Sequence, residues 1–589
     1  MSFNWFVLPF AIGFHFMLIV LIISFISGFA KLSSKIRKRV FRRLFTRRLF
    51  YALQEIMMES LLHRKLFKVN LLLGLMHTAF AFGWFMLIVV GKIETHLLTQ
   101  SWINPVWVPI FLRRGDLFNE SMLSKSFANV MDFILLLILI ALVVAIGKRF
   151  FSKSVGMKGT TQHDLVDRLA MSFLWAIFPL RFLAESGQAS ISNNGGFLTQ
   201  TASSIFFSTP LSQSTADLIW WSYSFALGGF FIFLPYSRYL HIPAEIILIF
   251  ARNLLSNNEF HHPMLRQLEN NSCSRCGVCI DVCAQRTVNR MDKNQSVYLL
   301  RSLRRKNFNH EAHFDLAFNC LQCNKCSSAC PVGINLMPHR NHARSNYSLI
   351  GKTTSHYRPI VETPLKNEAV DVLYFEGCMG RLNHRTGKAM ERVFEKLNMS
   401  YIKLDDSINC CGRGAQLLAD KRNIKEVMAK NSEIINNSNA KMLVTSCPIC
   451  YKSFKENYSL KMTVLHHSQL IAKSYSRLKT ASSFDGKAHY HTPCELGKWN
   501  DVKAVSNSIT KQLSYKLING KESEESICCG GSIGNLTIDT NSRKEIGTLE
   551  ISRAISKDAT AVVTSCPLCK RSLAKLTNLP ILDIAETVV

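Results

Sequence analysis

Apolar residues crowd the first ~250 positions in long unbroken runs, and no comparable run follows. Five of these runs approach the ~20 apolar residues that a bilayer core requires. They predict spanning helices at Phe6–Ala30, Val69–Gly91, Met131–Gly147, Leu165–Ala184 and Leu218–Tyr239. The third reads Phe133-Ile-Leu-Leu-Leu-Ile-Leu-Ile-Ala-Leu-Val-Val-Ala-Ile, whereas Arg168 and Arg181 interrupt the fourth. Those two arginines are candidates for quinone or haem-propionate contacts, or for snorkelling to the interfaces. Residues Arg43–Leu62 place Phe45, Leu49, Leu53, Ile56, Met57 and Leu61 near helical spacing. That pattern fits an interfacial amphipathic helix, or a helix packed on the later half of the chain.

Charge gives the spans a direction. The loop between the first two holds Lys31, Lys35, Arg37, Lys38, Arg39, Arg42, Arg43, Arg47, Arg48, Arg64, Lys65 and Lys68, opposed by Glu55 and Glu59 alone. The loop between the third and fourth holds Lys148, Arg149, Lys153 and Lys158, and the loop between the fourth and fifth has no Lys or Arg. By the positive-inside rule the N-terminus lies outside and everything after Arg238 is cytoplasmic. No positive charge precedes the first apolar run, which argues against a signal peptide. The net charge is +29, and about twelve of those units lie before residue 251. The rest sit on a half tethered beside an anionic membrane surface, so the excess describes topology rather than nucleic-acid binding.

All 18 cysteines lie at or after Cys273. In a reducing cytoplasm they favour metal ligation over disulfides. Cys273-x2-Cys276-x2-Cys279-x3-Cys283 is followed by Cys320-x2-Cys323-x2-Cys326-x3-Cys330-Pro331, the two-cluster ferredoxin run given twice. In such runs the fourth cysteine crosses to the other cluster. Cys273, Cys276, Cys279 and Cys330 are therefore expected to hold one 4Fe–4S cubane, and Cys320, Cys323, Cys326 and Cys283 the other. Zinc motifs rarely use four cysteines at this spacing. Ala284 stands where a proline would end the first run, and the basic insert Ala284–Asn319 is helix-compatible, as in helical ferredoxin modules.

The other ten cysteines form an internal repeat. Cys378, Cys410-Cys411-Gly412 and Cys447-Pro448-Ile449-Cys450 recur as Cys494, Cys528-Cys529-Gly530 and Cys566-Pro567-Leu568-Cys569. Val464-Leu-His-His likewise aligns with Ile581-Leu-Asp-Ile. Each copy reads as α/β, with strands at Val370–Phe375 and Lys441–Thr445 and an amphipathic helix at Arg385–Leu397. The glycine after the paired cysteines suits a tight turn that aims both sulfurs at one centre. Five thiolates exceed what tetrahedral zinc needs, although one redox cluster with one structural metal stays open. His466, His467 and His491 fall near the repeat cysteines, as proton donors to a leaving thiolate or as histidines satisfied within loops.

The cysteine-bearing half, from Asn270 on, resembles heterodisulfide reductase and its relatives. These include the iron–sulfur subunits of anaerobic glycerol-3-phosphate dehydrogenase and glycolate oxidase, and the membrane complex associated with dissimilatory sulfite reductase. The resemblance implies a non-cubane 4Fe–4S cluster in each intact repeat, with Cys378, Cys410, Cys411, Cys447 and Cys450, and Cys494, Cys528, Cys529, Cys566 and Cys569, as the catalytic ligands. The membrane half, on Leu234-Pro-Tyr-Ser-Arg-Tyr-Leu-His-Ile, resembles the haem b subunit of respiratory nitrate reductase and of membrane-bound heterodisulfide reductase. That likeness implies haem b between histidines of the second and fifth spans, here His77 and His241. Trp220-Trp221-Ser222-Tyr223 stands at an earlier fifth-span histidine of that family, so the pattern for a second, outer haem is incomplete. At 1.5 Å per residue, His77 lies roughly 12 Å from the inner edge and His241 near that edge. The depth arithmetic therefore also admits the pairs His15/His77 and His63/His241.

The expected architecture is a five-span α-helical membrane bundle (1–250), a helical two-cluster ferredoxin module (251–350), a linker (351–370) and two α/β cysteine-rich repeats (371–473 and 474–589). The expected function is electron transfer between quinone and a cytoplasmic thiol/disulfide couple, in the cytoplasmic membrane of a prokaryote. The cofactors are haem b, two cubane clusters and one or two non-cubane clusters; the partners are lipid, quinone, a thiol substrate or redox protein, and further subunits. A rival is an electron conduit from a separate flavin dehydrogenase for lactate, glycolate or glycerol-3-phosphate; no G-x-G-x-x-G occurs in this chain itself. A redox sensor is a third reading, though nothing in the cytoplasmic half resembles an output module.

Overall fold

A computed structural model of the chain describes all residues except 1–4, 115–121, 152, 154–156, 158–160, 208, 256–262, 290–293, 306–309, 348–368, 405–409, 418–423, 479–485, 497–515, 518–525 and 532–536. Most of the expected linker, 351–370, lies outside the described residues. Two compact units emerge: Met1–Asp281 with Leu303–Lys306 and Ser327–Asn335, and Val282–Ser302 with Asn307–Cys326 and Leu336–Val589.

Among the described residues, the first unit contains five helices long and apolar enough to cross a membrane: Trp5–Ala30, Leu71–Thr99, Leu123–Phe150, Leu165–Ser192 and Gln213–Tyr236. Their outward faces are apolar, with Ile19, Ile23 and Val143 more than half exposed. Where water is absent, polar groups must find partners within the protein. Arg113 Nη2 donates to Glu94 Oε1 at 2.8 Å. Asp132 Oδ2 accepts the N–H groups of Leu198 and Thr199, each at 2.8 Å, at the start of helix Phe197–Phe206. Arg181 Nε donates to Glu185 Oε1 at 2.9 Å, and both side chains are buried. That pair corrects the snorkelling reading of Arg181, because a carboxylate one turn away on the same helix satisfies it internally. Small residues bring the first and fifth spans together. A Cβ on Gly13 would lie 2.3 Å from the Gly228 carbonyl oxygen, so the backbones touch there.

The amphipathic stretch Arg43–Leu62 is not one helix. Helices Ser34–Leu44 and Arg47–Ile56 meet at Thr46, whose hydroxyl caps the second. The second helix docks on His241–Leu254, where Asn253 Nδ2 donates to Glu55 Oε2 at 2.8 Å, and Arg43 Nη1 of the first helix donates to Leu254 O at 2.6 Å. Phe41, Phe45, Phe50 and Tyr51 stay exposed beside arginines, the composition of an interfacial face.

In the second unit, helices Ala284–Asn289, Ser296–Arg305 and His310–Phe318 fill the insert between the ferredoxin runs; Leu303, Arg304 and Arg305 at the end of the second of these belong to the first unit. Two four-stranded parallel sheets follow. Strands β1 (Val370–Phe375), β2 (Tyr401–Lys403), β3 (Ala440–Thr445) and β4 (Thr463–His466) lie in the order β2-β1-β3-β4. Strands β5 (Lys487–His491), β6 (Lys516–Leu517), β7 (Ala561–Thr564) and β8 (Ile581–Asp583) repeat that order as β6-β5-β7-β8. Strands buried on both faces read as apolar runs, as Met-Leu-Val-Thr and Val-Val-Thr do before the two Ser-Cys-Pro turns. One core joins the repeats. Met390, Val393 and Phe394 of helix His384–Lys396 pack with Tyr490, Val563, Ile584 and Ala585 of the second copy. Between the copies the buried His467 Nε2 meets Asp583 Oδ1 at 2.9 Å, while His466 Nδ1 pairs with Ser468 Oγ at 2.7 Å. These two histidines cap and cross-link the fold.

The glycines of the paired-cysteine turns hold left-handed backbone, with φ +73° at Gly412 and +75° at Gly530. A Cβ on Gly530 would lie 2.0 Å from the Arg543 carbonyl oxygen, whereas one on Gly412 would meet the flexible Met428 side chain at 3.0 Å. Gly412→Ala is expected to cost about 1–2 kcal/mol, the left-handed penalty alone. Gly530→Ala is expected to cost more and to lower the bound metal of the second repeat. Thermal unfolding and metal analysis check both; equal losses would contradict the difference in packing.

Candidate metal centres and a histidine-lined cavity

The first unit contains Cys273, Cys276, Cys279 and Cys330 together, and the second contains Cys283, Cys320, Cys323 and Cys326. The fourth cysteine of each run thus sits with the other run. Burial, and then the nearby Cys276, pushes the Cys330 thiol up to about 12. Burial, and then Cys323 and Cys320, does the same to Cys283. Left-handed residues bend both loops around their sulfurs: Arg275 and Gly277 in the first, Gln322 and Asn324 in the second. The Gln322 N–H donates to Cys320 Sγ at 3.3 Å, and Ser296 Oγ donates to Cys326 Sγ at 3.3 Å.

In the repeats the sulfurs gather at the carboxyl ends of the parallel strands, where open α/β sheets form sites. Cys378 follows β1, and Cys447 follows β3 as the N-cap of helix Pro448–Asn457, which carries Cys450. The pair Cys410-Cys411 is tied in by the Gly412 N–H to Cys410 Sγ at 3.3 Å and by Ser453 Oγ to Cys411 O at 2.8 Å. Burial pushes the Cys378 thiol up to about 12, and the nearby Cys447 and Cys411 add to the rise. Cys450 shares hydrogen bonds with Cys411 and Cys447. The second repeat matches this set: Cys528 lies beside Cys529 and Cys494, and Cys569 shares hydrogen bonds with Cys529 and Cys566. The two sites face each other. Cys447 lies within electrostatic reach of Cys566, Leu568 packs among Cys447, Cys450 and Leu496, and Asn383 Nδ2 donates to Pro567 O at 2.9 Å. Cys528 also packs with Leu321 and Cys323, so the second repeat adjoins the second ferredoxin set.

None of the 18 cysteines forms a disulfide. In each repeat four buried thiols and one half-buried thiol converge without a disulfide; they resist ionising together unaided, and they match the donor set of an iron–sulfur cluster. The chemistry of the donors therefore fits such clusters at four places.

The first unit also encloses a cavity of about 550 Å3, within the range of small-molecule sites. His63, His77, His163, His241, Trp84, Tyr239, Glu245 and Cys276 line it. The rings of His63 and His77 are 5.6 Å apart. The Nδ1 atoms of His63, His77 and His241 pair with the carbonyls of Leu61 (3.1 Å), Leu73 (3.0 Å) and Arg238 (2.8 Å). This fixes each tautomer and leaves Nε2 for a metal, the usual arrangement of a ligating histidine. The residues present fit a haem. His15 is set apart: its Nδ1 pairs with Ala11 O at 2.7 Å, and it does not line the cavity. The depth arithmetic did not anticipate that His63 and His77 would meet. Thr78 Oγ1 donates to Leu62 O at 3.0 Å, so the chain before the second span folds back along that helix. Arg168 and Arg181 do not line the cavity; its cations are Lys148, Arg149, Arg238 and Arg275. Burial raises the Glu245 carboxyl to about 7, against Arg252 and Lys65. Asp167 holds the cluster loop to the spans, accepting from Arg275 and, at 2.6 Å, from the Arg238 N–H.

Comparison with known proteins matches the cysteine-rich domain at residues 372–455 and 488–574 and the 4Fe–4S dicluster domain at 272–335. The chain carries two cysteine-rich domains and a 4Fe–4S dicluster domain. It is homologous to one of the subunits of the dihydromethanophenazine:CoB–CoM heterodisulfide reductase of Methanosarcina barkeri, at 22% identity over 52% of this chain and 89% of that protein. It is similar to the EtfAB:quinone oxidoreductase of Syntrophomonas wolfei, at 24% identity over 36% of this chain. It also matches a probable membrane-anchored ferredoxin of Chromohalobacter salexigens, at 24% identity over 35% of this chain. The matches span about a third of each of these last two proteins. The cysteine-rich domains and the dicluster domain make the chain an iron–sulfur electron-transfer oxidoreductase, and its five apolar helices fit a membrane protein.

The crossed ligand sets predict a specific pattern of loss. Cys273→Ser with Cys330→Ser is expected to remove one cubane cluster, roughly four irons, and to spare the other. Cys320→Ser with Cys330→Ser is expected to remove both. Iron analysis and EPR of the reduced variants check this, and the reverse pattern would show that the fourth cysteines do not cross.

Proposed function

We propose that this chain couples a quinone in the bilayer to a thiol/disulfide couple at the cytoplasmic face. The reading includes haem b in the cavity, cubane clusters in the two ferredoxin sets and one or two non-cubane clusters in the repeats. The observation that carries it is that Cys276 lines the same cavity as His63, His77 and His241. A ligand seated among those histidines is walled by a cysteine of the first ferredoxin set. In the second unit, the contact of Cys323 with Cys528 and the facing of Cys447 and Cys566 continue the same logic.

Bound iron–sulfur clusters and haem would supply one-electron carriers between two-electron partners. The chain's own groups do the rest. Lys148, Arg149, Arg238 and Arg275 place positive charge around the cavity, which suits haem propionates or a quinone oxygen gaining negative charge. Trp84, Phe80 and Phe230 give it apolar walls. At the repeats, the facing sites bring ten sulfurs to one region, as a disulfide contacting both would need. Basic loops between the first and second and between the third and fourth spans support a cytoplasmic location for the cysteine-bearing half in a prokaryotic membrane.

The name of the Syntrophomonas relative joins EtfAB to quinone and mentions no disulfide. It favours a second reading, in which this chain passes electrons from a partner dehydrogenase to quinone.

EPR of purified protein, before and after addition of dithiols, separates the two. A thiol-dependent signal is expected of a disulfide-active cysteine-rich site; reduced-cubane signals alone would sink the disulfide reading and favour the conduit. For the cavity, His77→Ala is expected to abolish the haem b absorption of the reduced protein, and His15→Ala to leave it intact. Equal loss in both variants would contradict the cavity as the haem site.

A further inference from the structure

The cysteine pattern is the same in both repeats, but the residues around it are not. The offset of 119 residues that carries Cys447 to Cys566 also carries Asn431 to Glu550. Phe375 at the end of β1 pairs with Thr445, and His491 at the end of β5 pairs with Thr564, so the two occupy one register position. In the first repeat Asn431 Nδ2 donates to Cys410 O at 2.9 Å and to Tyr458 Oη at 3.1 Å, and Phe375 is buried apolar core. In the second, Glu550 Oε1 meets His489 Nε2 at 3.1 Å and His491 Nδ1 at 2.9 Å. Glu550 Oε2 accepts the N–H of Ile527, the residue before Cys528, at 2.7 Å.

His489, His491 and Glu550 are each at most 1% exposed. Burying a carboxylate is costly unless it is well satisfied, and here three donors meet it. The fold does not require this arrangement, because the first repeat builds the same strand end with phenylalanine and asparagine. The pair therefore needs a reason outside folding. A ring nitrogen of His491 and the sulfurs of Cys529 and Cys569 all lie within 4.8 Å of one another. With Nδ1 held by Glu550, Nε2 is the nitrogen left to meet those sulfurs. A carboxylate that fixes one ring nitrogen and so presents the other is the support that ligating histidines characteristically have.

We infer that His491 is a nitrogen ligand of the metal centre in the second repeat, positioned by Glu550, and that the two repeats hold chemically unequal centres. The inference rests on the proposal that this repeat binds an iron–sulfur cluster. A centre that takes His491 in place of one of its five thiolates has a raised potential, because neutral imidazole stands where a charged thiolate would, as in Rieske clusters. The centre with the higher potential is then the one whose Cys528 adjoins Cys323 of the second ferredoxin set.

The test is pulsed EPR of the full chain, reduced, from cells fed 15N-histidine or unlabelled histidine, for wild type and His491→Phe, with iron counted in each. The expected result is a strong isotope-sensitive nitrogen coupling on one cysteine-rich centre, absent in His491→Phe, together with a lower midpoint for that centre alone. Should His491→Phe not fold, the isotope comparison on wild type still decides. A cluster signal without histidine coupling, or with only the weak coupling of an N–H···S bond, overturns the inference and leaves the proposed function standing. Iron at no more than about eight per chain, the content of two cubanes, overturns both.

Discussion

The second unit and the cluster loop of the first are organised by the convergence of buried thiols. A thiol among apolar groups resists ionisation, and several within reach of one another resist it further. Strands β1, β3, β5 and β7 nevertheless deliver cysteines to common points, and left-handed turns at Gly412 and Gly530 aim paired sulfurs inward. A metal offsets the charge of such thiolates, and its binding energy then becomes folding energy. The ferredoxin loops follow the same rule with four sulfurs apiece. Their crossed fourth cysteines tie segments of chain that are distant in sequence.

The membrane unit meets a different constraint, the scarcity of partners for polar groups in lipid. Glu94 with Arg113, Arg181 with Glu185, and Asp132 with a helix N-terminus are each resolved internally. Another group of polar side chains lines one cavity beside the basic loops of the bundle. There His63, His77 and His241 share a wall with four cations and Cys276. Asp167 fastens the loop of the first ferredoxin run to the fourth span and the end of the fifth, so the cysteine set and the cavity are held as one object.

Much of this was legible in the sequence because its signals are short-range or repetitive. Apolar runs marked the spans, spacing marked the ferredoxin loops, and the 119-residue offset between Cys447 and Cys566 marked the repeats. What was not legible depended on chain reversal or on sites assembled from distant residues. Helical rise placed His63 and His77 at different depths, but the chain before the second span doubles back, as the Thr78–Leu62 bond shows. The arginines that interrupt the fourth span suggested ligand contacts, yet Arg181 is neutralised by Glu185 within its own helix. The helix predicted over Arg43–Leu62 is broken at Thr46, a cap residue whose effect hydrophobic spacing does not register. Glu550 could have been found by aligning the repeats beyond their cysteines, since it stands where the first copy has Asn431.

The most direct test of the central claim is Mössbauer spectroscopy of 57Fe-enriched protein together with zinc and acid-labile sulfide analysis. If buried thiols assemble around iron at all four places, the chain carries about sixteen irons, in a cubane component and a distinct second component. About eight irons, all cubane, with zinc in the cysteine-rich repeats would contradict it.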